Sequence, residues 1–368
     1  MTPLIRLYGS REGWSSSEVV FTGMRDGLIA NSQLAGTYIY NQDDDGSVSE
    51  AETAPVAVSC PPPTNMHVMT AFGHKQRWFI LAPNSTKVPQ SFLELVSQHT
   101  DGIITPSQFG AAALRNANYQ GAIQVVKHGI SSSFQAYITE NDSKWLHQTD
   151  LYESMRRECL SFLHLAESST DRKGTWPLIE AFVNWKERLY AHLTIVMSHR
   201  EFDVLLSKFE DAFGSRNTED FGITLLGRVN LPPHAMGAFY SCFDVIIAPS
   251  RSEGFGLVPL EGLACGIPCI ITIGHGHMEW CEDAHGQLRP GIIPILPGPM
   301  APALFDGDGM AATVDPDAIQ EALDETLRTY IVKRIEAIQN MPAIRDEFSW
   351  QNVTKDFCDM IQREFSHD

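Results

Sequence analysis

The chain has 368 residues, 43% of them hydrophobic, and a formal net charge of −18. Such a length exceeds one ordinary domain and predicts two, each of roughly 150 to 200 residues with a real core. The acidic balance argues against a protein that grips nucleic acid by neutralising phosphates over a broad face. The seven cysteines are odd in number, form no Cys-x-x-Cys pair and lie mostly in apolar runs, where cysteine behaves as a small hydrophobe. The start, Met1-Thr-Pro-Leu-Ile-Arg6, has no signal-peptide pattern, and no apolar run is long enough to span a bilayer. A cytoplasmic location is therefore expected.

In chain order, apolar runs of strand length alternate with helix-length stretches, the pattern of parallel α/β sheets. The first half predicts strands at 4–8, 37–40, 55–59, 67–70, 78–82, 102–105 and 123–127, with helices at 17–30, 91–99 and 107–116. Ser107 is placed to cap the last of these. Helix 17–30 sets Glu18 and Asp26 against Arg25, so it is not a basic membrane-surface helix. The acidic run Asp43-Asp44-Asp45 reads as a solvated loop. A polar connection, 131–158, leads to a second series with strands at 159–165, 192–197, 222–226, 244–248 and 269–273. Its helices are expected at 175–188, 234–242 and 315–329. Residues 289–300, rich in Gly and Pro, read as a loop, and 342–368 as a helix pair containing Trp350. The simplest architecture is two Rossmann-like domains: 1–150 joined by a C-terminal helix at 351–368, and 151–350.

The most informative segment is Ser250-Arg-Ser-Glu-Gly-Phe-Gly-Leu-Val-Pro-Leu-Glu261, followed by Gly262-Leu-Ala-Cys-Gly-Ile-Pro268. The run 243–249 before it is a buried strand, a helix begins near Pro259, and Gly266 with Pro268 ends it. The Gly-Phe-Gly turn thus opens a helix whose free amides and positive dipole end suit an anion. Glu253 and Glu261, eight positions apart, can both face the crevice at the carboxyl end of the strand. Carboxylates are good acceptors for sugar or ribose hydroxyls. Two readings stand on spacing alone: a nucleotide-sugar site, or an ordinary βαβ turn with two solvated glutamates.

Several separate segments then bring the chain to a known family. The block Pro249 to Glu261 resembles the Glu-x7-Glu signature of the retaining GT-B glycosyltransferases of family 4, and 262–268 is similar to its continuation. Asp171-Arg-Lys-Gly174 with Leu178-Ile-Glu-Ala-Phe182 resembles the segment opening the second domain, and Leu225-Leu-Gly-Arg-Val229 the turn beside the nucleotide base. Gly102-Ile-Ile-Thr-Pro-Ser-Gln-Phe109, Val125-Val-Lys-His-Gly-Ile130 and Phe348-Ser-Trp350 are similar to first-domain and tail motifs. The resemblance implies an α/β GT-B fold, with the two domains facing across a cleft and the C-terminal helix crossing back to the first.

It also implies roles. Glu253 would hold hydroxyls of the transferred sugar, Glu261 the ribose, and Lys173 the departing diphosphate. Gly254, Phe255, Gly256, Leu257 and Val258, with Ser250, would line the donor, and Arg228 and Val229 would sit at the base. Arg172 either assists Lys173 or solvates the turn. Many relatives carry a second cation a few residues ahead of the lysine; here 165–169 lacks one, so Arg172 or Arg251 must substitute. On the acceptor side stand Gly9, Trp14 and Asn84. Asn84, an amide, positions but cannot act as a base, and His67, His74 and His128 read as structural. His275 and His277 are too few to suggest a metal and read as a loop near the donor sugar. The expected activity is transfer, with retention, from a nucleoside-diphosphate sugar to a soluble acceptor, with no metal, cofactor or membrane partner. Rival readings are a DNA-modifying transferase, which the charge disfavours, a GT-B epimerase or phosphorylase, and a non-catalytic nucleotide-sugar-binding protein.

Overall fold

The structure, a computed structural model, describes residues 4–10, 16–40, 54–60, 73–132, 134, 159–166, 171–227, 235–303 and 308–365. It divides into two compact units. One comprises Met1–Ser131, Pro302–Met310 and Asp346–Asp368, the other Ser132–Ala301 and Ala311–Arg345. The division thus falls after Ser131, and the short segment Pro302–Met310, which nothing in the sequence marks, counts with the first unit.

The first unit holds six strands: β1 (Ile5–Ser10), β2 (Leu34–Tyr40), β3 (Val56–Ser59), β4 (Gln76–Ile80), β5 (Gly102–Thr105) and β6 (Ala122–Val125). Their order is β2-β1-β3-β4-β5-β6, and every pairing is parallel. The strand expected at 67–70 lies outside the described residues. Helices α1 (Ser16–Ala30), α2 (Gln90–Ser97) and α3 (Gln108–Asn116) lie between strands. Ser107 caps α3 as its chemistry suggests, its hydroxyl accepting from the Gly110 amide at 3.1 Å. The tail helix, here α9 (Trp350–Phe365), also belongs to this unit. Its Phe357 and Ile361 are fully buried in one core with Leu7, Met24 and Leu28. Trp350 lies so close to α1 at Gly23 that a Cβ there would sit 1.9 Å from the indole.

The second unit repeats the plan with β7 (Leu160–Leu165), β8 (Ala191–Val196), β9 (Ile223–Leu226), β10 (Val245–Ala248), β11 (Cys269–Thr272) and β12 (Ile292–Ile295). All pairings are parallel, in the order β12-β11-β10-β7-β8-β9. Its helices are α4 (Thr175–Asn184), α5 (Phe202–Phe213), α6 (Met236–Tyr240), α7 (Leu257–Ala264) and α8 (Pro316–Glu347). The central strands β10 and β11, covered on both faces, are near-continuous apolar runs. The Trp185 indole at the end of α4 donates to Asp324 on α8 at 2.7 Å, tying two helices over that core.

Besides α5, which has no counterpart among the expected helices, two elements differ from the sequence reading. The presumed loop 289–300 contains β12, in which Ile292, Ile293 and Ile295 are buried. Pro294 masks the pattern, but a strand at the sheet edge tolerates a residue without an N–H. The helix expected at 315–329 runs on to Glu347 through Pro342, so the first helix of the expected tail pair is its end. A proline removes one ladder bond without ending a helix whose flanking turns are anchored, here by buried Ala337 and Ile344.

The second sheet reverses direction between β7 and β10. From β7 the chain builds outward to β8 and β9, then returns to build β10, β11 and β12 on the other side. Loops leaving adjacent strands at such a point diverge and open a crevice at the carboxyl ends, the preferred ligand position of an open α/β sheet.

Candidate functional site

The loops after β7 and β10 meet at this reversal. After β7 a short 3-10 turn, Asp171–Lys173, leads through Gly174 into α4. Gly174 has φ of +67°, and a Cβ there would lie 1.9 Å from the Pro249 carbonyl oxygen, so only glycine lets the two loops come this close. The Arg251 amide donates to the Arg172 carbonyl at 2.8 Å, joining them directly. Beneath them His164 Nδ1 donates to the Ile247 carbonyl while its Nε2 accepts from the Thr175 hydroxyl, both at 2.9 Å. Burial pushes this imidazole down to about 4, so it is a neutral brace between β7, β10 and α4.

Glu253 stands at the centre and is 7% exposed. The Lys173 ammonium donates to its Oε1 at 2.5 Å, Arg172 Nη1 to its Oε2 at 2.9 Å, and the Ser250 hydroxyl to Oε1 at 2.9 Å. Burial works to raise its pKa, but Lys173 and Arg172 overcome that and hold the carboxyl far below the usual range. Glu261, on α7 and 6% exposed, behaves oppositely. Burial pushes it up to about 7, and the Tyr240 hydroxyl, donating to Oε2 at 2.9 Å, offsets this only in part.

The loop between the two glutamates ends at Gly256, with φ of +86°, and α7 begins at Leu257. A second turn, His275–Glu279, clamps this loop. The Gly276 amide donates to the Glu253 carbonyl at 2.8 Å, and the Trp280 indole to the Phe255 carbonyl at 2.6 Å. His277 Nδ1 donates to the Thr272 carbonyl at 2.9 Å, and its ring lies where a Cβ on Gly256 would fall, 2.3 Å from Nε2. The first amides of α7 have no partner within the helix and point the positive end of its dipole outward from this loop.

The structure therefore gathers Arg172, Lys173, Ser250 and Glu253 into one contact group, with Gly254, Phe255, Gly256, Leu257 and Val258 forming the adjoining loop and helix start and Glu261 on that same helix. Of the two candidate replacement cations, Arg172 is the one on Glu253. Arg251 is 7% exposed and its Nε donates to the Ala312 carbonyl at 2.8 Å, a bracing role. Arg228, Val229, Trp14 and His67 lie outside the described residues; Gly227, just ahead of the first two, packs on the His199 ring. In the first unit Gly9 packs against Phe21, whose ring a Cβ would meet at 2.2 Å, which gives that glycine a packing reason of its own. Asn84 is half-buried. His74 joins Tyr8 to the Ala54 carbonyl, and His128 is buried beside Trp350 and pushed down to about 3. Among the described residues no three His, Cys, Asp or Glu side chains are placed to hold a metal ion. Tyr240 and Trp280 were not foreseen; they stand 21 and 25 residues from their partners, with no spacing signal to link them.

The family described as "Glycosyl transferases group 1" matches residues 160–296, and that described as "Family 4 Glycosyltransferase in conflict systems" matches residues 236–357. Together the two matches run over residues 160–357. Among curated relatives, a D-inositol 3-phosphate glycosyltransferase of Acidothermus cellulolyticus is 40% identical over 153 residues, 39% of this chain and 29% of that protein. The GtfA subunit of a UDP-N-acetylglucosamine–peptide N-acetylglucosaminyltransferase of Streptococcus pneumoniae is 30% identical over 141 residues, 34% of this chain and 26% of that protein. The matched stretch spans roughly a quarter of the length of such relatives, 22% and 26% in two further D-inositol 3-phosphate glycosyltransferases of Corynebacterium. Among solved structures, the fold matches sucrose-phosphate synthase from Thermosynechococcus elongatus with a TM-score of 0.68 and 14% identity over 100% of both chains. HepE of Anabaena, in complex with UDP and glucose, matches with a TM-score of 0.70 and 14% identity over 98% of this chain and 100% of that one. The chain thus has the GT-B fold.

Proposed function

We propose that this chain moves a sugar from a nucleoside-diphosphate donor to an acceptor hydroxyl with retention at the anomeric carbon. The observation that carries the reading is the convergence of Lys173, Arg172 and Glu253 at the β7–β10 reversal, beside the first amides of α7. HepE, of the same fold, is solved with UDP and with UDP-glucose, which favours a UDP-linked donor.

In this reading Lys173, Arg172 and the amides at Gly256, Leu257 and Val258 receive the diphosphate, Glu253 accepts from the sugar hydroxyls, and Glu261 from the ribose. The bond between the anomeric carbon and the phosphate oxygen breaks as charge develops on that oxygen, which preorganised cations and dipoles stabilise without rearrangement. The acceptor oxygen bonds to the anomeric carbon on the same face, and its proton goes to the leaving phosphate. The protein cations supply the positive charge, so no metal or cofactor is required. The acceptor in this reading is a soluble hydroxyl compound.

The test is incubation of the protein with UDP-, GDP- and ADP-sugars, following donor hydrolysis and donor-dependent thermal shift. Turnover of one class, with the released sugar first appearing in the donor's anomeric configuration by NMR, is the expected result. A folded protein that responds to none of them would refute the reading.

A further inference from the structure

The donor site leaves one buried base unemployed. His277 is 1% exposed. Its Nδ1–H is committed to the Thr272 carbonyl, so in the neutral ring Nε2 is a bare acceptor. Among the described residues nothing pairs with that nitrogen. The ring is fixed edge-on to Trp280, with centroids 5.4 Å apart, and lies against Gly256 at the start of α7. Buried polar atoms without partners are few in folded proteins, and each asks for a reason.

The charged groups acting on this ring are known. Burial most strongly opposes protonation, Glu253 favours it, and Lys173 opposes it; His275 lies in the same turn and Arg172 acts through its pair with Glu253. The positive end of α7 adds to the opposition. Without ligand the imidazole is therefore neutral.

A diphosphate changes this balance. It brings several negative charges to the two cations that neutralise Glu253, while that carboxylate stays buried. It also occupies the α7 amides, so the dipole no longer opposes a charge on the histidine. We infer that His277 takes up a proton at Nε2 when a nucleoside diphosphate binds, replacing positive charge that Glu253 yields as Lys173 and Arg172 turn to the phosphates. This rests on the donor-site reading above. The proton comes from solvent, and the N–H bond is the only one formed. His277 is thus a charge-compensating residue rather than a ligand to the sugar, and it makes donor affinity depend on pH through a group outside the Glu-x7-Glu pair.

Glu261 carries a proton shift of opposite sign. Pushed up to about 7 in the free protein, it must ionise to accept from ribose hydroxyls, and so gives up a proton on binding. The two shifts offset each other in the intact protein and separate when His277 is replaced.

The experiment is calorimetric titration of the full chain and of His277→Gln and His277→Asn with UDP, GDP and ADP, from about pH 5.5 to 8, the range in which histidine titrates. The expected result is a ratio of variant to wild-type Kd that grows toward acid, by up to about tenfold per pH unit. Paired buffers of different ionisation enthalpy should show the wild type taking up more protons than the variants, by up to about one. A ratio independent of pH, even with weaker binding overall, would show a merely structural histidine and overturn the inference alone. Failure of all three nucleotides to bind the folded wild type would overturn the donor-site reading and this inference with it. If neither variant folds, the wild-type count taken with UDP-glucose, whose phosphates do not ionise near neutrality, decides: net release near pH 7 approaching the roughly half proton of Glu261 alone contradicts the inference, and zero or net uptake supports it.

Discussion

Lys173 and Glu253 are 80 positions apart in sequence, yet they form the ion pair on which the site is built. Each is separately recognisable, Glu253 by its spacing to Glu261 and Lys173 by its place before Gly174. Their contact is not, because only the adjacency of β7 and β10 brings them together. Replacing Lys173 with alanine should weaken nucleoside-diphosphate binding about 10- to 100-fold, the loss of one charge-assisted contact. It should also destabilise the second unit by about 1–3 kcal/mol, since Arg172 and Ser250 remain on the buried carboxylate. Calorimetry and urea unfolding check the two effects, and unchanged binding would remove Lys173 from the donor site.

The two glutamates also give stability opposite pH dependences. Glu253 is depressed in the folded state, so its contribution is present above the ordinary carboxylate pKa and is lost as pH falls below it. Glu261 is raised from 4.5 to about 7, so the folded state holds its proton more tightly; that stabilisation is full below 4.5 and is lost as pH rises through 7. The loss amounts to about 3 kcal/mol. Glu261→Gln should therefore flatten the fall in unfolding free energy between those limits, whereas an identical slope in variant and wild type would show that Glu261 does not titrate there.

At the scale of elements, what the sequence revealed depended on how clean the local signal was. The strands 102–105, 244–248 and 269–273 are apolar runs bounded by turn residues, and the structure builds β5, β10 and β11 there. Ser107 announced α3 because a capping serine acts within its own turn. β12 and the full length of α8 were hidden because each contains a proline whose effect depends on context that sequence does not carry: an edge position for Pro294, anchored flanking turns for Pro342. Gly174 is the element-scale hinge of the site. Gly174→Ala adds a Cβ into the Pro249 carbonyl at a left-handed φ, so it should lower stability by about 1–3 kcal/mol and displace Lys173. A circular-dichroism melt together with a nucleotide titration reads both, and a variant as stable and as tight as wild type would contradict the packing described for these loops. Trp350→Ala, which empties the space between α9 and α1, should cost about 3–5 kcal/mol in the first unit. Urea unfolding measures this; a loss below about 1 kcal/mol would mean that the tail helix is not part of that core.

For the whole molecule, the alternation of strands and helices was enough to read two Rossmann-like units, and the structure and its GT-B relatives agree. The candidate donor residues could be picked out of the sequence because they are concentrated in a short segment, 250–261, on one loop and the helix after it. The hydroxyl of Tyr240 on Glu261, the clamp of 275–280 and the unpartnered Nε2 of His277 could not, since no spacing pattern in the sequence marks these contacts. The central claim is that the β7–β10 reversal of the second unit is a nucleoside-diphosphate site. The most direct measurement is a crystal structure with UDP bound. The diphosphate should lie on Lys173, Arg172 and the amides at the start of α7, with the ribose on Glu261. Nucleotide bound elsewhere, with Lys173 and Arg172 still closed on Glu253, would contradict it.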